Sequence, residues 1–203
     1  MRKSPFIWAI FDLLTLAVAV AFGPVPDHLA WGDPMSYKVL YIHVPLVWVM
    51  FVNLIAGMIF SIAYLRSKNL IWDTRTGRAV FIAVVSGAAG ITMGAFWSYA
   101  MSGIYWPWEP KSTAVLLLIL SYSALLVLRS SISDKEKRAN ITSVYTIAGV
   151  ILIPLTFLST MLFGGTHGYL NQEPVPSSAF LFLGLRAVSC IGLSISLIGG
   201  LRK

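Results

Sequence analysis

The chain has little charge for its length. Charged residues make up 11% of its 203 residues and hydrophobic residues 57%, whereas an average soluble domain has about 25% charged residues. A soluble protein of this composition could not cover its own surface with polar groups. The composition therefore excludes a cytosolic enzyme, a disordered regulator and a secreted disulfide scaffold, and it predicts one integral membrane domain over residues 1–203.

The sequence is also poor in thiols. Its one cysteine, Cys190, cannot form an internal disulfide, a C-x-x-C-H haem-attachment motif or a thiolate metal cluster. The sequence has no G-x-x-x-x-G-K-S/T phosphate-binding loop, so the chain carries no ATPase motif of its own. Any cofactor must be held by ligands other than thiolates.

Acidic residues are scarce, with 8 against 15 basic residues and a net charge of +7. A basic protein can bind nucleic acid when its charges share one face. Here the charges are divided among short loops between apolar runs, which is typical of a protein oriented in a membrane. We therefore expect no nucleic-acid partner.

Six apolar segments are long enough to cross a bilayer, which needs about 20 helical residues. They are predicted near 5–24, 44–65, 79–99, 113–130, 141–163 and 178–201. Twelve Lys and Arg residues fall in one set of connecting segments, and the opposite set holds Lys38 and Lys111. The positive-inside rule then predicts an all-α, six-helix transmembrane bundle with both termini in the cytoplasm. The outer loops are expected near 25–43, 97–112 and 164–177.

Small residues and proline affect the expected packing of these helices. Gly87, Gly90 and Gly94 follow each other at spacings of three and four residues, which allow two helix backbones to approach closely. Pro154 is expected to kink the fifth span, because proline removes a helical hydrogen bond.

Histidines and aromatic residues carry the candidate chemistry, and all of the histidines fall on the outward side. His43 precedes Pro45 at the start of the second span, where a neutral imidazole can bind a metal or haem iron. The alternative is an interfacial histidine bonded to backbone and lipid headgroups. His167 is flanked by glycines, which suit either a flat ligand or a plain helix end. His28 is interpreted as a solvated loop residue.

The segment 94–113 is dense in aromatic side chains. Anchoring at the membrane surface accounts for some Trp and Tyr in any membrane protein. The density here exceeds that need, and it predicts an amphipathic platform on which a planar ligand such as a porphyrin could stack. The Trp and Tyr members are Trp97, Tyr99, Tyr105, Trp106 and Trp108.

These residues resemble a known family, the WWD-domain haem-handling proteins of cytochrome c maturation, and within it the six-helix CcmC type. The family motif Tyr-Arg/Lys-Ile-x-Tyr-Ile-His-Val-Pro-x-x-Trp is similar to residues 37–48. The family's tryptophan-rich motif is similar to residues 94–113, with Glu109 in place of the family Asp and Ser102 in place of one Trp. The resemblance covers most of the chain.

The resemblance implies a multi-pass cell-membrane protein that binds haem b at the outer face and passes it to a membrane-anchored haem chaperone. It implies transfer without catalysis, beside an ABC transporter that supplies ATP hydrolysis. The iron would lie between His43 and His167, and the haem edge on the tryptophan-rich segment. The implied cofactor-binding set is His43, His167, Trp97, Tyr105, Trp106, Trp108, Glu109 and Lys111.

The two haem propionates would bring negative charge to a face with few cations. We expect Lys111 and the indole N–H of Trp106 or Trp108 to help hold a propionate. The alternative is that Lys111 only marks the membrane boundary.

Two ionisable residues, Asp12 and Arg186, lie inside predicted spans. A lone charge there costs roughly 2.5–3.5 kcal/mol, so each should face the bundle interior or a polar cavity. The two could pair, or Arg186 could extend outward toward the haem site. A purely structural role for both is also open.

Three other functions remain as alternatives. A haem lyase-type cytochrome c assembly subunit would attach haem itself, but the larger members of that kind usually have more spans. A haem and quinone electron-transfer subunit would favour histidines buried at two depths. An ordinary membrane scaffold would make the motifs coincidental.

Overall fold

The computed structural model describes residues 4–26, 34–165 and 176–199. Within these ranges the chain is helical and has no strand. The helices are α1 (Ser4–Phe22), a 3₁₀ helix (Pro34–Val39), α2 (Leu40–Ser67), α3 (Leu70–Ser102), α4 (Pro110–Ser131), α5 (Lys135–Gly149), α6 (Leu152–Phe163) and α7 (Ala179–Gly199). His28 and His167 lie outside the described residues.

The predicted six-helix membrane fold is confirmed. Six helical segments in the described ranges are long and apolar enough to cross a membrane, with α5 and α6 together forming one of them, Lys135–Phe163. The third is longer than the predicted span, because the Asn69 side chain accepts a hydrogen bond from the Ile71 N–H at 3.0 Å and starts α3 at Leu70. At its other end α3 includes residues 94–102, and Gly103 terminates it with a φ of 73°.

The fifth span is broken where Pro154 was expected to kink it. Pro154 has no N–H to donate to the carbonyl of Val150, four residues earlier. The chain makes tighter bonds there, from the Ile151 N–H to the Ala148 carbonyl at 3.3 Å and from the Ile153 N–H to the Val150 carbonyl at 3.0 Å. The break separates α5 from α6.

Glycines let α2 and α3 pack closely, as predicted. A Cβ on Gly87 would lie 2.5 Å from Sδ of Met50, and a Cβ on Gly90 would lie 3.1 Å from Cγ2 of Val47. The first distance is too short for a real Cβ contact, and the second is shorter than most such contacts. The absence of side chains at these positions therefore sets the distance between the two helices.

The buried side chains form two clusters. The larger joins α2, α3, α4 and α6, and consists of Met50, Leu54, Val80, Ala83, Val115, Leu118, Ile119, Tyr122, Leu125 and Ile153. The smaller joins α1, α2 and α7 around Tyr41, with Ala19, Ala179 and Leu183. Because α2 contributes to both clusters, it links the α1–α7 pair to the rest of the bundle.

The two charges inside the spans pair with each other. Nη1 of Arg186 on α7 lies 2.6 Å from Oδ1 of Asp12 on α1. The Arg186 side chain is only 3% exposed, so the pairing predicted as one alternative is confirmed and the outward extension of Arg186 is wrong.

A second buried ion pair joins α3 to α4 and was not predicted. Asp73 is 1% exposed and binds the guanidinium of Arg129 through both carboxylate oxygens, with Nη2 2.8 Å from Oδ2. Arg138 on α5 approaches the same carboxylate at 3.6 Å. We call this part of the bundle, built by residues 66–78 and 129–138, the basic end.

Candidate functional site

The site is built on His43 in the first turns of α2. Its half-buried imidazole faces α3, where Nδ1 lies 2.7 Å from the carbonyl oxygen of Gly90. A carbonyl oxygen only accepts hydrogen bonds, so Nδ1 is the donor in this contact, and in a neutral imidazole the lone pair is then on Nε2. A histidine held in this way has the tautomer that binds a metal through Nε2.

Gly94 makes the space for this imidazole. A Cβ at Gly94 would lie 2.9 Å from Cε1 and 3.2 Å from Nδ1 of His43. Gly90, Gly94 and Trp97 follow each other at helical spacings of four and three, so they share one face of α3. The imidazole therefore sits against the face of α3 that continues into the tryptophan-rich segment.

The start of α2 and the end of α3 meet at one end of the bundle. Ser36 in the 3₁₀ helix donates a hydrogen bond from Oγ to Sδ of Met101, at 3.4 Å. Residues 34–43, 94–113 and 163–165 together form what we call the tryptophan end. It contains all of the predicted site residues except His167, which lies outside the described residues.

Four buried polar atoms at the tryptophan end have no hydrogen-bond partner among the described residues: Tyr37 Oη, Trp97 Nε1, Trp106 Nε1 and Thr113 Oγ1. Each buried group without a partner costs about 1–3 kcal/mol. An indole N–H can only donate. A ligand that satisfied the two indoles would therefore present acceptor atoms, as a carboxylate does.

The aromatic rings of this segment form two groups. Tyr99 and Tyr105 stack with centroids 4.3 Å apart and planes 9° apart, and Phe96 meets Tyr105 edge-on at 6.0 Å. Trp106 and Trp108 meet at 6.1 Å with their planes at 89°. Because the two indoles are perpendicular, the tryptophan end presents separate ring faces and edges, and not one continuous plane.

Trp108 has an unusual backbone conformation. Its φ is 54°, in the left-handed region, which is a true outlier for a bulky side chain. Its side chain is 73% exposed, so burial of the indole does not compensate the strain. Strained residues of this kind cluster at ligand sites.

Glu109 links the tryptophan-rich segment to the residues that follow α6. It is buried, and its Oε2 accepts a hydrogen bond from Oγ of Ser112 at 3.3 Å. A Cβ at Gly165 would lie 2.9 Å from Oε1 of Glu109. The chain that leads to His167 is therefore against Glu109 two residues before the histidine.

The two cations predicted on this side have different surroundings. Lys38 donates from Nζ to the carbonyl of Gly23 at 2.7 Å and so caps the end of α1. Nζ of half-buried Lys111 lies 5.7 Å from the centre of the Phe157 ring on α6, within the range of a cation–π contact.

Sequence reasoning missed part of this site. The spacing of Gly94 predicted helix packing but not that its hydrogen makes room for an imidazole. Tyr37 and Thr113 lay inside the two motifs without an assigned role, and only the burial of their hydroxyl groups distinguishes them.

Comparison with known proteins identifies the family. Residues 4–167 match the model described as cytochrome C assembly protein. The chain belongs to the cytochrome c assembly protein family. The match includes α1 to α6, both sequence motifs, His43 and His167, and it ends before α7.

Three relatives of this cytochrome c assembly protein are each named heme exporter protein C. The protein of Haemophilus influenzae is 26% identical over 82% of this chain and 67% of its own length. That of Bradyrhizobium diazoefficiens is 29% identical over 82% and 62%, and that of Escherichia coli 24% identical over 76% and 62%. The chain thus spans about two thirds of the length of these relatives. With its six apolar segments, it is a CcmC-type multi-pass protein of the cell membrane.

Proposed function

We propose that this cytochrome c assembly protein binds haem b at the tryptophan end and delivers it to a membrane-anchored haem chaperone for cytochrome c maturation. His43 and His167 would be the axial ligands of the iron. The protein would act as a transfer component and not as an enzyme. The relatives named heme exporter protein C support a role in haem handling.

The observation that carries this proposal is the position of His43. The hydrogen bond from Nδ1 to the Gly90 carbonyl fixes the ring, and the gap at Gly94 accommodates it. A ring fixed in this tautomer needs little reorganisation to ligate iron through Nε2. Gly165 lies against Glu109 at the tryptophan end. Only one residue separates Gly165 from His167 along the chain, which supports His167 as the second ligand.

The buried donors at the tryptophan end fit the other groups of a haem. Propionates are carboxylates, and the unpartnered indole N–H groups of Trp97 and Trp106 can donate to them. Lys111 would add a positive charge nearby. Trp108 and the Tyr99–Tyr105 pair would contact the apolar porphyrin through ring faces and edges.

Delivery requires ligation that is reversible. A site whose contacts with the haem could not be broken separately would not release it. Two imidazole ligands on different segments can each be replaced in turn by a ligand from the chaperone. The chaperone would take over one coordination position with its own side chain. Subunits of an ABC transporter would supply ATP hydrolysis, since the chain has no phosphate-binding loop.

The distribution of basic residues supports an outward-facing tryptophan end. Arg66, Arg75, Arg129 and Arg138 all lie at the basic end. By the positive-inside rule that end would be cytoplasmic, with both termini on the same side. Haem would then be presented outside the cytoplasm.

A haem titration tests the proposal. Purified protein mixed with haem b should develop a saturable Soret band, and His43→Ala should raise the dissociation constant about 10-fold or more. The matched control is His28→Ala, which removes a histidine on the same predicted side and should leave the constant unchanged. A wild-type protein without a saturable Soret band would overturn haem binding.

A further inference from the structure

Pro45 leaves one backbone acceptor of α2 without its helical donor. In an α-helix the N–H of residue 45 donates to the carbonyl of residue 41, and proline has no N–H. Pro45 lies inside α2 and is buried, as is Tyr41. A buried carbonyl in this position destabilises the fold unless another group donates to it.

Arg186 of α7 supplies that donor. Its Nε donates to the carbonyl of Tyr41 at 3.3 Å. On the same guanidinium, Nη1 donates to Oδ1 of Asp12 at 2.6 Å and to the Asp12 carbonyl at 2.8 Å. One planar side chain therefore connects α1 with the part of α2 whose helical hydrogen bond is missing.

The groups on both sides of Arg186 are themselves held. Oδ1 of Asp12 accepts from Oγ of Ser189 at 2.9 Å and from Sγ of Cys190 at 3.0 Å. The hydroxyl of Tyr41 donates to the carbonyl of Pro24 at 2.6 Å. Tyr41 is therefore fixed through both its carbonyl and its phenol.

His43 lies between Tyr41, which this network fixes, and Pro45, whose missing N–H leaves the Tyr41 carbonyl in need of a donor. We infer that Arg186 and Asp12 are positioning residues for His43. Nε of Arg186 replaces the hydrogen bond that Pro45 removes, Asp12 holds the guanidinium in place, and together they fix the turn of α2 that carries the imidazole. The inference rests on the proposed function only for its haem readout. Arg186 lies beyond the region that matches the family model.

Arg186→Lys separates positioning from simple stability. A lysine keeps a positive charge opposite Asp12, but its ammonium lacks the planar fork that donates in two fixed directions. The Tyr41 carbonyl then loses its donor while the charge pair remains. In haem-free protein labelled with ¹⁵N-histidine, the Nδ1-protonated fraction of His43 should fall. The dissociation constant for haem b should rise about 10-fold, as for other residues that orient metal ligands.

Arg129→Lys is the matched control. It is the same substitution in the buried pair of Arg129 with Asp73. Arg129 lies about 28 Å along α4 from Pro110, the residue of α4 at the tryptophan end. It should leave both the ¹⁵N spectrum of His43 and the haem dissociation constant unchanged. An equal effect of Arg129→Lys would show a general loss of structure and overturn the inference.

Pro45→Ala provides a second test that remains valid if Arg186→Lys alone is unstable. Alanine restores the N–H that the Tyr41 carbonyl lacks, so Arg186→Lys in that background should change the haem dissociation constant less than 2-fold. An unchanged His43 spectrum in Arg186→Lys, or the same loss with and without Pro45, would overturn the inference. If wild-type protein binds no haem, the proposed function fails, and the ¹⁵N spectrum still decides the positioning role.

Discussion

At the scale of single residues, a methyl group added at Gly94 would meet the imidazole of His43 directly. A Cβ there would lie 2.9 Å from the His43 imidazole, closer than atoms can pack without a shift. The ring would have to move away from α3 and lengthen its bond to the Gly90 carbonyl, which is 2.7 Å in the structure.

Gly94→Ala should therefore weaken haem binding about 10-fold or more, because it displaces the His43 imidazole and disturbs the hydrogen bond that orients it. The measurement is a haem titration of purified protein. Gly184→Ala is a suitable control, since a Cβ at Gly184 on α7 meets no atom of the described residues within 4 Å. Unchanged affinity in Gly94→Ala would show that the contact does not position His43.

Variants of Trp108 test whether its indole contributes to haem binding, and they separate that role from the strain in its backbone. A bulky residue at φ 54° costs on the order of 1–3 kcal/mol. Trp108→Gly removes the strain and the indole, whereas Trp108→Ala removes the indole and keeps the strain. Both variants should lose haem affinity to a similar extent, and Trp108→Gly should have the higher thermal midpoint. Full affinity in both variants would exclude a role for the indole.

The sequence indicates the residue types of the candidate site but not how the structure holds them. His43 and the tryptophans stand out by type and spacing. The carbonyl groups of Gly90 and Tyr41 cannot be recognised in this way, because every residue has a backbone carbonyl. The position of proline four residues after Tyr41 was a usable signal, since it marks a carbonyl that needs an outside donor.

At the scale of helices, sequence patterns predicted the six spans and the interruption at Pro154. They placed the start of the third span too late, because Asp73 and its polar neighbours do not look like part of a membrane helix. Only the structure shows that Asp73 is buried and paired with Arg129 from α4. Contacts between residues 56 positions apart leave no periodicity in a single sequence.

The Asp73–Arg129 pair should be a strong contributor to stability. Asp73→Asn leaves two nearby guanidinium groups without their counter-charge, and breaking a buried pair in this way typically costs about 3–5 kcal/mol. Thermal unfolding in detergent should show a large fall in the midpoint. Replacing both partners, as in Asp73→Asn with Arg129→Met, should cost less than the sum of the single changes.

Asp134→Asn is the control for that experiment. Asp134 accepts from the Lys137 N–H at 2.6 Å at the exposed start of α5, and asparagine caps helices equally well. Its midpoint should match the wild type. A similarly small effect of Asp73→Asn would mean that the buried pair contributes little.

At the scale of the whole molecule, α2 connects two parts of the bundle. On one side it packs against α3 through glycines, and this contact holds His43. On the other side it packs against α1 and α7 around Tyr41. The haem site proposed at the tryptophan end therefore depends on both halves of the protein.

The orientation of the bundle can be measured by cysteine labelling. In a Cys190→Ser background, Ser102→Cys at the tryptophan end should react with a membrane-impermeant maleimide added to intact cells. Ser131→Cys at the basic end should react only after permeabilisation. Both positions are exposed in the structure, so burial does not explain a difference. The reverse labelling pattern would place the tryptophan end in the cytoplasm.

We propose that His43 and His167 ligate the same haem iron. Electron paramagnetic resonance of the purified ferric complex tests it most directly. Wild-type protein and His28→Ala should give a low-spin signal with two nitrogen axial ligands, and His43→Ala and His167→Ala should each lose it. Retention of the bis-histidine low-spin signal in either His43→Ala or His167→Ala would show that the replaced histidine is not an axial ligand.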